Sequence, residues 1–230
     1  TDTVMMGMLG PQALAAGALG ASSYNLVSIF CVGVMAAVGN LVAIRHGAGD
    51  SLGVRAMTQA GIWIALSLAL LAGLLLWQFA PLLQMGGQQP QNIQGAMQFL
   101  HSLVFALPGY LLFMVLRGFT SALGKPGPVL AISLCGAALN FLLNYALIKS
   151  LFGLPQIGLA GIGMVTAIVM NGMALVLALY IRRQAFYRPW PLLAGLFNPK
   201  FADLRENLRL GLPIGGTYIV ESGLFFVAAL

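Results

Sequence analysis

Residues 128–149, PVLAISLCGAALNFLLNYALIK, decide the fold class of this chain. The stretch carries no charged residue before Lys149, and about 20 apolar residues are what a helix needs to cross a bilayer. Asn140 and Asn144 interrupt it at the i, i+4 spacing, which places both on one face of a helix. The stretch therefore predicts a membrane-spanning helix with one polar face.

The whole composition has the same character. The chain is 60% hydrophobic and only 7% charged, with a mean hydropathy of +0.93, whereas a soluble domain carries about 25% charged residues. This excludes a soluble protein and predicts a multi-spanning membrane protein. No basic face accompanies the net charge of +6, so we expect no nucleic-acid partner. Cys31 and Cys135 lie in apolar runs, which predicts free, buried thiols.

Apolar runs of the same length recur along the chain. Residues 1–9 match the end of a first span, and the later spans are predicted at 17–44, 56–79, 93–116, 128–149, 159–181 and from 209 to the end. Gly- and Pro-rich turns are predicted at residues 47–50, 81–90, 124–128 and 153–155. Because the chain begins with the tail of a helix and stops inside a span, we expect it to be a fragment of a longer protein.

The basic residues predict the orientation of these spans. Ten of the 11 Lys and Arg residues lie in the loops after predicted spans 2, 4 and 6. By the positive-inside rule these loops are cytoplasmic, which predicts a multi-pass protein of the inner membrane. The longest of them contains the sequence FADLRENLRLGLP at 201–213, which predicts an interfacial helix leading into span 7.

Five polar residues lie inside the predicted spans: Asp2, Asn140, Asn144, Thr166 and Glu221. An ionised carboxylate in hydrocarbon costs several kcal/mol, so it faces the bundle interior or a wet cavity. A helical rise of 1.5 Å per residue places Asp2, Asn144, Thr166 and Glu221 roughly 10 to 12 Å below the outer surface. Such a layer favours the binding of a proton or a cation.

Structural roles remain open for some of these residues. Asn140 and Asn144 could hold helices together through interhelical hydrogen bonds, which are common and modest in energy. The hydroxyl of Thr166 could bond to its own helix backbone. We find no metal-ligand cluster and no nucleophile–base pair in the sequence, so we predict that the protein is not an enzyme and has no cofactor.

Five segments together carry a family resemblance. The chain resembles the multidrug and toxic compound extrusion (MATE) transporters, in their bacterial NorM-like branch. The segments are TDTVMMGMLGPQALAAGALG (1–20), VGNLVAIRHGAGD (38–50), LRGFTSALGKPGPV (116–129), LNFLLNYALIKSLFGLPQIGLAGIGMVTAIV (139–169) and LGLPIGGTYIVESGLFFVAAL (210–230).

The resemblance implies an all-α fold of twelve helices in two six-helix lobes that open alternately to either side of the membrane. Residues 1–181 would form the N-terminal lobe with a truncated first helix, 182–208 a cytoplasmic linker between the lobes, and 209–230 the first, truncated helix of the C-terminal lobe. The expected activity is export of cationic, amphipathic drugs in exchange for H⁺ or Na⁺, by a protein that we expect to be monomeric.

The resemblance also implies roles for single residues. Asp2, Asn140, Asn144 and Thr166 match the family's ion- or proton-coupling positions, and Na⁺ would bind at the first three of them. Glu221 matches the acidic position on the seventh helix, beside the cation and substrate cavity. Some archaeal members carry a second aspartate where this chain has Asn144, so the identity of the coupling ion stays open.

Two other classes of protein remain as alternatives. A flippase for lipid-linked sugars needs many basic residues in its cavity, whereas the charges inside the predicted spans are acidic. A seven-helix receptor or light-driven pump would match the count of crossings, but a retinal pump needs a lysine in its last span. No lysine follows Arg209. We therefore favour the ion-coupled exporter.

Overall fold

The computed structural model of the chain describes residues 2–149 and 158–228, with the side chains of 223–228 excepted. This part of the chain is built from α-helices without a β-strand, and 85% of it is helical. The helices are α1 (Asp2–Met8), α2 (Pro11–Gly47), α3 (Ser51–Trp77), α4 (Ala80–Met85), α5 (Pro90–Leu103), α6 (Ala106–Ala122), α7 (Gly127–Ile148), α8 (Gly158–Arg183) and α9 (Phe201–Ala228).

Four of the described helices are long and apolar enough to cross a membrane on their own, namely α2, α3, α7 and α8. They confirm predicted spans 2, 3, 5 and 6. Helix α2 is longer than predicted because it begins at Pro11, a residue that is favoured at the first helical position. Gly49 and Gly124 have positive φ angles of 72° and 73° and confirm two of the predicted turns. The turn predicted at 153–155 lies outside the described residues.

Predicted span 4 is bent. Helices α5 and α6 meet at an angle of 50°, and together they form a fifth candidate span. Pro108 explains the bend, because a proline has no N–H for the carbonyl of Val104 and its ring clashes with that carbonyl. The Val104 carbonyl instead accepts a hydrogen bond from the Leu107 N–H at 3.1 Å. The Asn171 amide of α8 donates to the Phe105 carbonyl at the same break, at 2.8 Å.

Two predicted boundaries differ from the structure. Residues 81–90 were predicted as a turn, but Pro81 lies in the first turn of the short helix α4. The predicted interfacial helix and span 7 form one helix, α9, which begins at Phe201 inside the predicted linker and continues through Pro213. Helix α9 is not among the described helices that meet the length and hydropathy criteria for a span. The division into two lobes stays a prediction.

Helix α2 is the centre of the bundle and packs on α3, α5, α6 and α9. Glycines allow the close approach: a methyl group on Gly33 would lie 2.6 Å from the Cα of Gly215 in α9, and one on Gly39 would lie 3.2 Å from the Cα of Gly118 in α6. At the end of α2, the Arg45 guanidinium donates to both carboxylate oxygens of Glu206 in α9, each at 3.0 Å. This ion pair fixes the start of α9 against α2.

A narrow face of α7 packs against the rest of the bundle. Its buried residues are Val129, Gly136, Asn140 and Asn144. Its exposed side chains are mostly apolar, as expected for a surface in contact with lipid. Cys135 lies on this exposed surface, so the prediction that it is buried is wrong, whereas Cys31 is buried as predicted. Both thiols are free.

The Gly33–Gly215 contact gives a test of the fold. We expect Gly33→Ala to lower the free energy of unfolding by about 1–3 kcal/mol, because the added methyl group forces α2 and α9 apart. Gly172→Ala in α8 is the matched control, since nothing lies within 4 Å of its added methyl group. We expect that control to be neutral or slightly stabilising. Thermal unfolding of the full-length protein in detergent measures the stability of both variants. Equal melting temperatures for Gly33→Ala and Gly172→Ala would contradict the close packing of α2 on α9.

Candidate functional site

Four of the predicted site residues form one hydrogen-bonded cluster, which we call the Asp2 cluster. Asp2 lies in α1, Asn140 and Asn144 in α7, and Thr166 in α8. The Asn144 amide donates to Asp2 Oδ1 at 3.5 Å and to Asn140 Oδ1 at 3.2 Å. The Asn140 amide donates to Thr166 Oγ1 at 3.1 Å, and Thr166 Oγ1 lies 3.1 Å from Asp2 Oδ2. The bonds form a ring that joins three helices.

The local sequence explains why these side chains meet. The i, i+4 spacing places Asn140 and Asn144 one above the other on the buried face of α7. Gly136, on the same face, lies against Met173 of α8, so α7 and α8 approach closely next to the cluster. Helix α1 packs on α2, α7 and α8, which brings the Asp2 carboxylate to the face shared by the two asparagines.

Thr166 is the central residue of the ring. Its hydroxyl accepts from Asn140 and has one proton, for which two acceptors compete: Asp2 Oδ2 at 3.1 Å and the Ile162 carbonyl at 3.0 Å. The expected bond of a threonine to its own helix is therefore present, and the contact with the carboxylate is added to it. This hydroxyl can turn towards Asp2 or away from it without any movement of the helices.

The cluster is buried in apolar surroundings. Asn144 is completely buried, and Asn140 and Thr166 are 7% and 8% exposed, whereas Asp2 is half-buried. Met5 and Met6, on the same short helix as Asp2, belong to the hydrophobic core on this side of the bundle. Among the described residues, the Asn144 carbonyl oxygen is buried without a hydrogen-bond partner. An unused oxygen beside a carboxylate is an acceptor site for a proton donor or a hard cation.

Glu221 does not join the Asp2 cluster. Helix α9 packs on α2 and α3, whereas the cluster is formed by α1, α7 and α8. The Glu221 side chain is exposed, and the structure describes no hydrogen bond from it to a cluster residue. The common depth predicted for Glu221 and the cluster residues concerns only their position along the membrane normal. Helix rise contains no information about which helices are neighbours in the plane of the membrane. The role of Glu221 beside a substrate cavity stays a prediction.

Polar residues outside the predicted site hold other parts of the bundle together. Asn171 bonds across the break between α5 and α6, and Gln59 of α3 holds the segment after α8 through two carbonyls. Both are polar residues inside predicted apolar spans, and this feature of the sequence could have identified them. In the described ranges, no group of three or more His, Cys, Asp or Glu residues could hold a metal ion.

Apolar helices around a buried polar cluster define a multi-pass membrane protein, and comparison with known proteins gives its family. The family model MatE matches residues 1–146. The chain therefore belongs to the MatE family.

The curated relatives include a probable multidrug resistance protein NorM of Pseudomonas aeruginosa. It is 66% identical over 230 residues, which cover all of this chain and 47% of that protein. A protein of the same name from Pseudomonas syringae pv. tomato is 60% identical over 229 residues, covering all of this chain and 50% of the relative. The chain thus spans about half the length of the curated relatives it matches.

A solved structure of MATE in the bent conformation has a similar fold. It superimposes with a TM-score of 0.85 at 21% identity, over 98% of this chain and 49% of that one. At this level of identity the likeness concerns the fold. It confirms the all-α MATE architecture that the sequence resemblance implied.

The contribution of Thr166 to the hydrogen-bonded ring can be tested by measuring the free energy of unfolding of a variant. Thr166→Val keeps the shape of the side chain but removes the acceptor of Asn140 and the donor to Asp2. We expect it to lower the free energy of unfolding by about 1–2 kcal/mol. Thr58→Val is the matched control, because Thr58 is also buried but its hydroxyl bonds, within the described chain, only to the Val54 carbonyl of its own helix. If denaturation in detergent gave the same loss of unfolding free energy for Thr166→Val and Thr58→Val, the ring would add nothing to the bond that a threonine makes to its own helix.

Proposed function

We propose that the full-length protein is a secondary active exporter, which moves cationic amphipathic compounds outwards in exchange for H⁺ or Na⁺ by alternating access. The observation that carries this proposal is the Asp2 carboxylate of α1, held by neutral amide and hydroxyl groups on two apolar helices, α7 and α8. Ionisable groups inside membrane proteins generally mark ion and substrate pathways. The names of the curated relatives support multidrug resistance as the biological role.

The mechanism follows from the charge of the cluster. With Asp2 ionised, the cluster has one negative charge, and a proton or Na⁺ neutralises it. A ligand shifts a conformational equilibrium only through its different affinities for the two states. Ion binding at Asp2 therefore favours one lobe arrangement, and the cationic compound favours the other. The two ligands exclude each other because they depend on the same charge.

The oxygens of the cluster fit Na⁺ as a transported ion. Hard cations prefer carboxylate, carbonyl and hydroxyl oxygens. Asp2 supplies a carboxylate, Asn140 and Asn144 supply amide carbonyls, and the Asn144 carbonyl oxygen has no other partner in the described chain. A proton would instead sit on Asp2 itself, and the same amides would then reorient around a neutral carboxyl group. The cluster can thus serve either ion with the same residues.

Orientation and location complete the proposal. The ends of α2, α6 and α8 with their following loops carry most of the basic residues, so we place them in the cytoplasm. The protein is then a multi-pass protein of the inner membrane. Glu221 would attract cations to the cavity between the two lobes, at a distance from the Asp2 cluster.

The first test of this proposal is the loss of the carboxylate. We expect Asp2→Asn in the full-length protein to lower ion-driven efflux of a fluorescent cation by about tenfold or more, because the change removes the charge that couples the two ligands. Asp203→Asn is the control, since Asp203 lies in the first turn of α9 and outside the cluster. We expect a smaller loss for Glu221→Gln. Undiminished efflux in cells that express the Asp2→Asn, Glu221→Gln double variant would refute the proposal.

A second test identifies the coupling ion. A Na⁺ gradient or a pH gradient is imposed separately across the membrane of vesicles that contain the purified protein, and uptake of the fluorescent cation is measured. If Na⁺ is the coupling ion, we expect the Na⁺ gradient alone to drive transport and Asn144→Ala to weaken the Na⁺ dependence by about 5-fold or more, because the change removes a ligand oxygen. If H⁺ is the coupling ion, the pH gradient alone drives transport. Transport with neither gradient would contradict coupling altogether.

A further inference from the structure

A pocket lies away from the Asp2 cluster and shares no residue with it. It has a volume of about 800 Å³, within the usual range of ligand pockets of about 300–1,000 Å³. Its walls come from α6, the C-terminal half of α8 and the segment 187–196 that follows α8, with Ile62 of α3. The pocket is therefore at the end of the bundle where Arg182 and Arg188 lie, which the positive-inside rule assigns to the cytoplasm.

Hydrogen bonds to α3 hold the outer wall of this pocket in place. The Gln59 amide donates to the Leu192 carbonyl at 2.7 Å and to the Ala194 carbonyl at 2.8 Å. The indole N–H of Trp63 donates to the Leu196 carbonyl at 2.6 Å. The segment after α8 is thus fixed by three bonds from spanning helix α3. The pocket is a built feature of the fold and does not depend on the position of a free loop.

Two arginines give the pocket a positive charge. Arg182 and Arg188 both line it, and both are exposed. The chain has five Asp and Glu residues in total, all of them at described positions, and none of them lines the pocket. The ion pairs found in the described chain are formed by Arg45, at the end of α2. The positive charge of the pocket is therefore available to a ligand.

Two buried hydrogen-bond donors in the pocket wall also lack partners. Tyr187 is 3% exposed, and its hydroxyl has no hydrogen-bond partner in the described chain; the same holds for the indole N–H of Trp190. Both residues line the pocket. A buried polar group without a partner costs about 1–3 kcal/mol, so such groups are normally satisfied by water or a ligand. These two donor atoms are shielded from solvent, so the charge of the two exposed guanidinium groups is what favours an anion in this pocket.

The remaining wall of the pocket is apolar and exposed at the surface of the described chain. Leu175, Leu179 and Leu193 line the pocket and are 60%, 40% and 63% exposed. A soluble anion would leave these leucines uncovered, whereas a fatty acyl chain covers them. An apolar wall that continues from a donor-rich, positive end matches a molecule with an anionic head and a hydrocarbon tail.

We propose that this pocket binds an anionic phospholipid from the cytoplasmic leaflet. Its phosphate lies between Arg182 and Arg188, and an acyl chain lies against the leucines of α8. Basic pockets at the cytoplasmic side of spanning helices are suited to such head groups. The bound lipid fastens the segment that connects α8 to α9. This inference depends on the proposed orientation but not on the transported compound.

The test is a lipid titration of the full-length protein in detergent. Retention of phosphatidylglycerol is measured by native mass spectrometry, with phosphatidylcholine of the same acyl chains as the comparison lipid. We expect Arg182→Ala together with Arg188→Ala to weaken phosphatidylglycerol binding by roughly 30-fold, about fivefold for each arginine. Arg183→Ala is the matched control, because Arg183 is at the same end of α8 but does not line the pocket.

A second variant tests the apolar wall without a change of charge. Ala178 is exposed and lines the pocket, so Ala178→Trp fills the space of the acyl chain and is expected to weaken phosphatidylglycerol binding as well. Equal binding of the two lipids would overturn the proposal. So would an equal loss in Arg183→Ala, or competition by glycerol phosphate as strong as that by the whole lipid, since a soluble anion would then be the ligand.

Discussion

The close approach of helix backbones along α2 is the constraint on which the rest of the bundle depends. Between helices in lipid there is no gain from burying apolar surface, so association relies on van der Waals packing and on interhelical hydrogen bonds. At Gly33 and Gly39 the neighbour across the contact is itself a glycine, so larger side chains on either helix would separate them. Helices α6 and α9 thus take their positions from α2, and α8 packs in turn on α6.

The same environment reverses the usual arrangement of polar and apolar groups. Without water in the hydrocarbon region, backbone groups are satisfied within helices and polar side chains must find one another. The ring of Asp2, Asn144, Asn140 and Thr166 is one solution to this demand. The bond from Asn171 to the Phe105 carbonyl at a helix break is another. In both cases the polar side chains lie where helices meet.

Much of the fold could be predicted from the sequence because its signals are local. Apolar length and basic loops predicted the spans, and the i, i+4 spacing predicted the shared face of Asn140 and Asn144. The bend at Pro108 was missed although proline is a local signal, because residues 93–116 were assigned from their apolar length alone. Glu221 was assigned to the layer of the Asp2 cluster from depth, but which helices are neighbours depends on packing between distant segments. The exposure of Cys135 was likewise not predictable from an apolar run, since in lipid both faces of a helix are apolar.

The narrow buried face of α7 has a mechanical consequence. Among the packed helix pairs, α7 contacts α1 and α8, and two of its four buried residues are Asn140 and Asn144. The bonds that surround the Asp2 carboxylate are thus also part of what attaches α7 to its neighbours. Under the proposed mechanism, ion binding at Asp2 would change the donors and acceptors at the contact between α7 and its neighbours. The contact that binds the ion would then also be a contact that holds α7 in place.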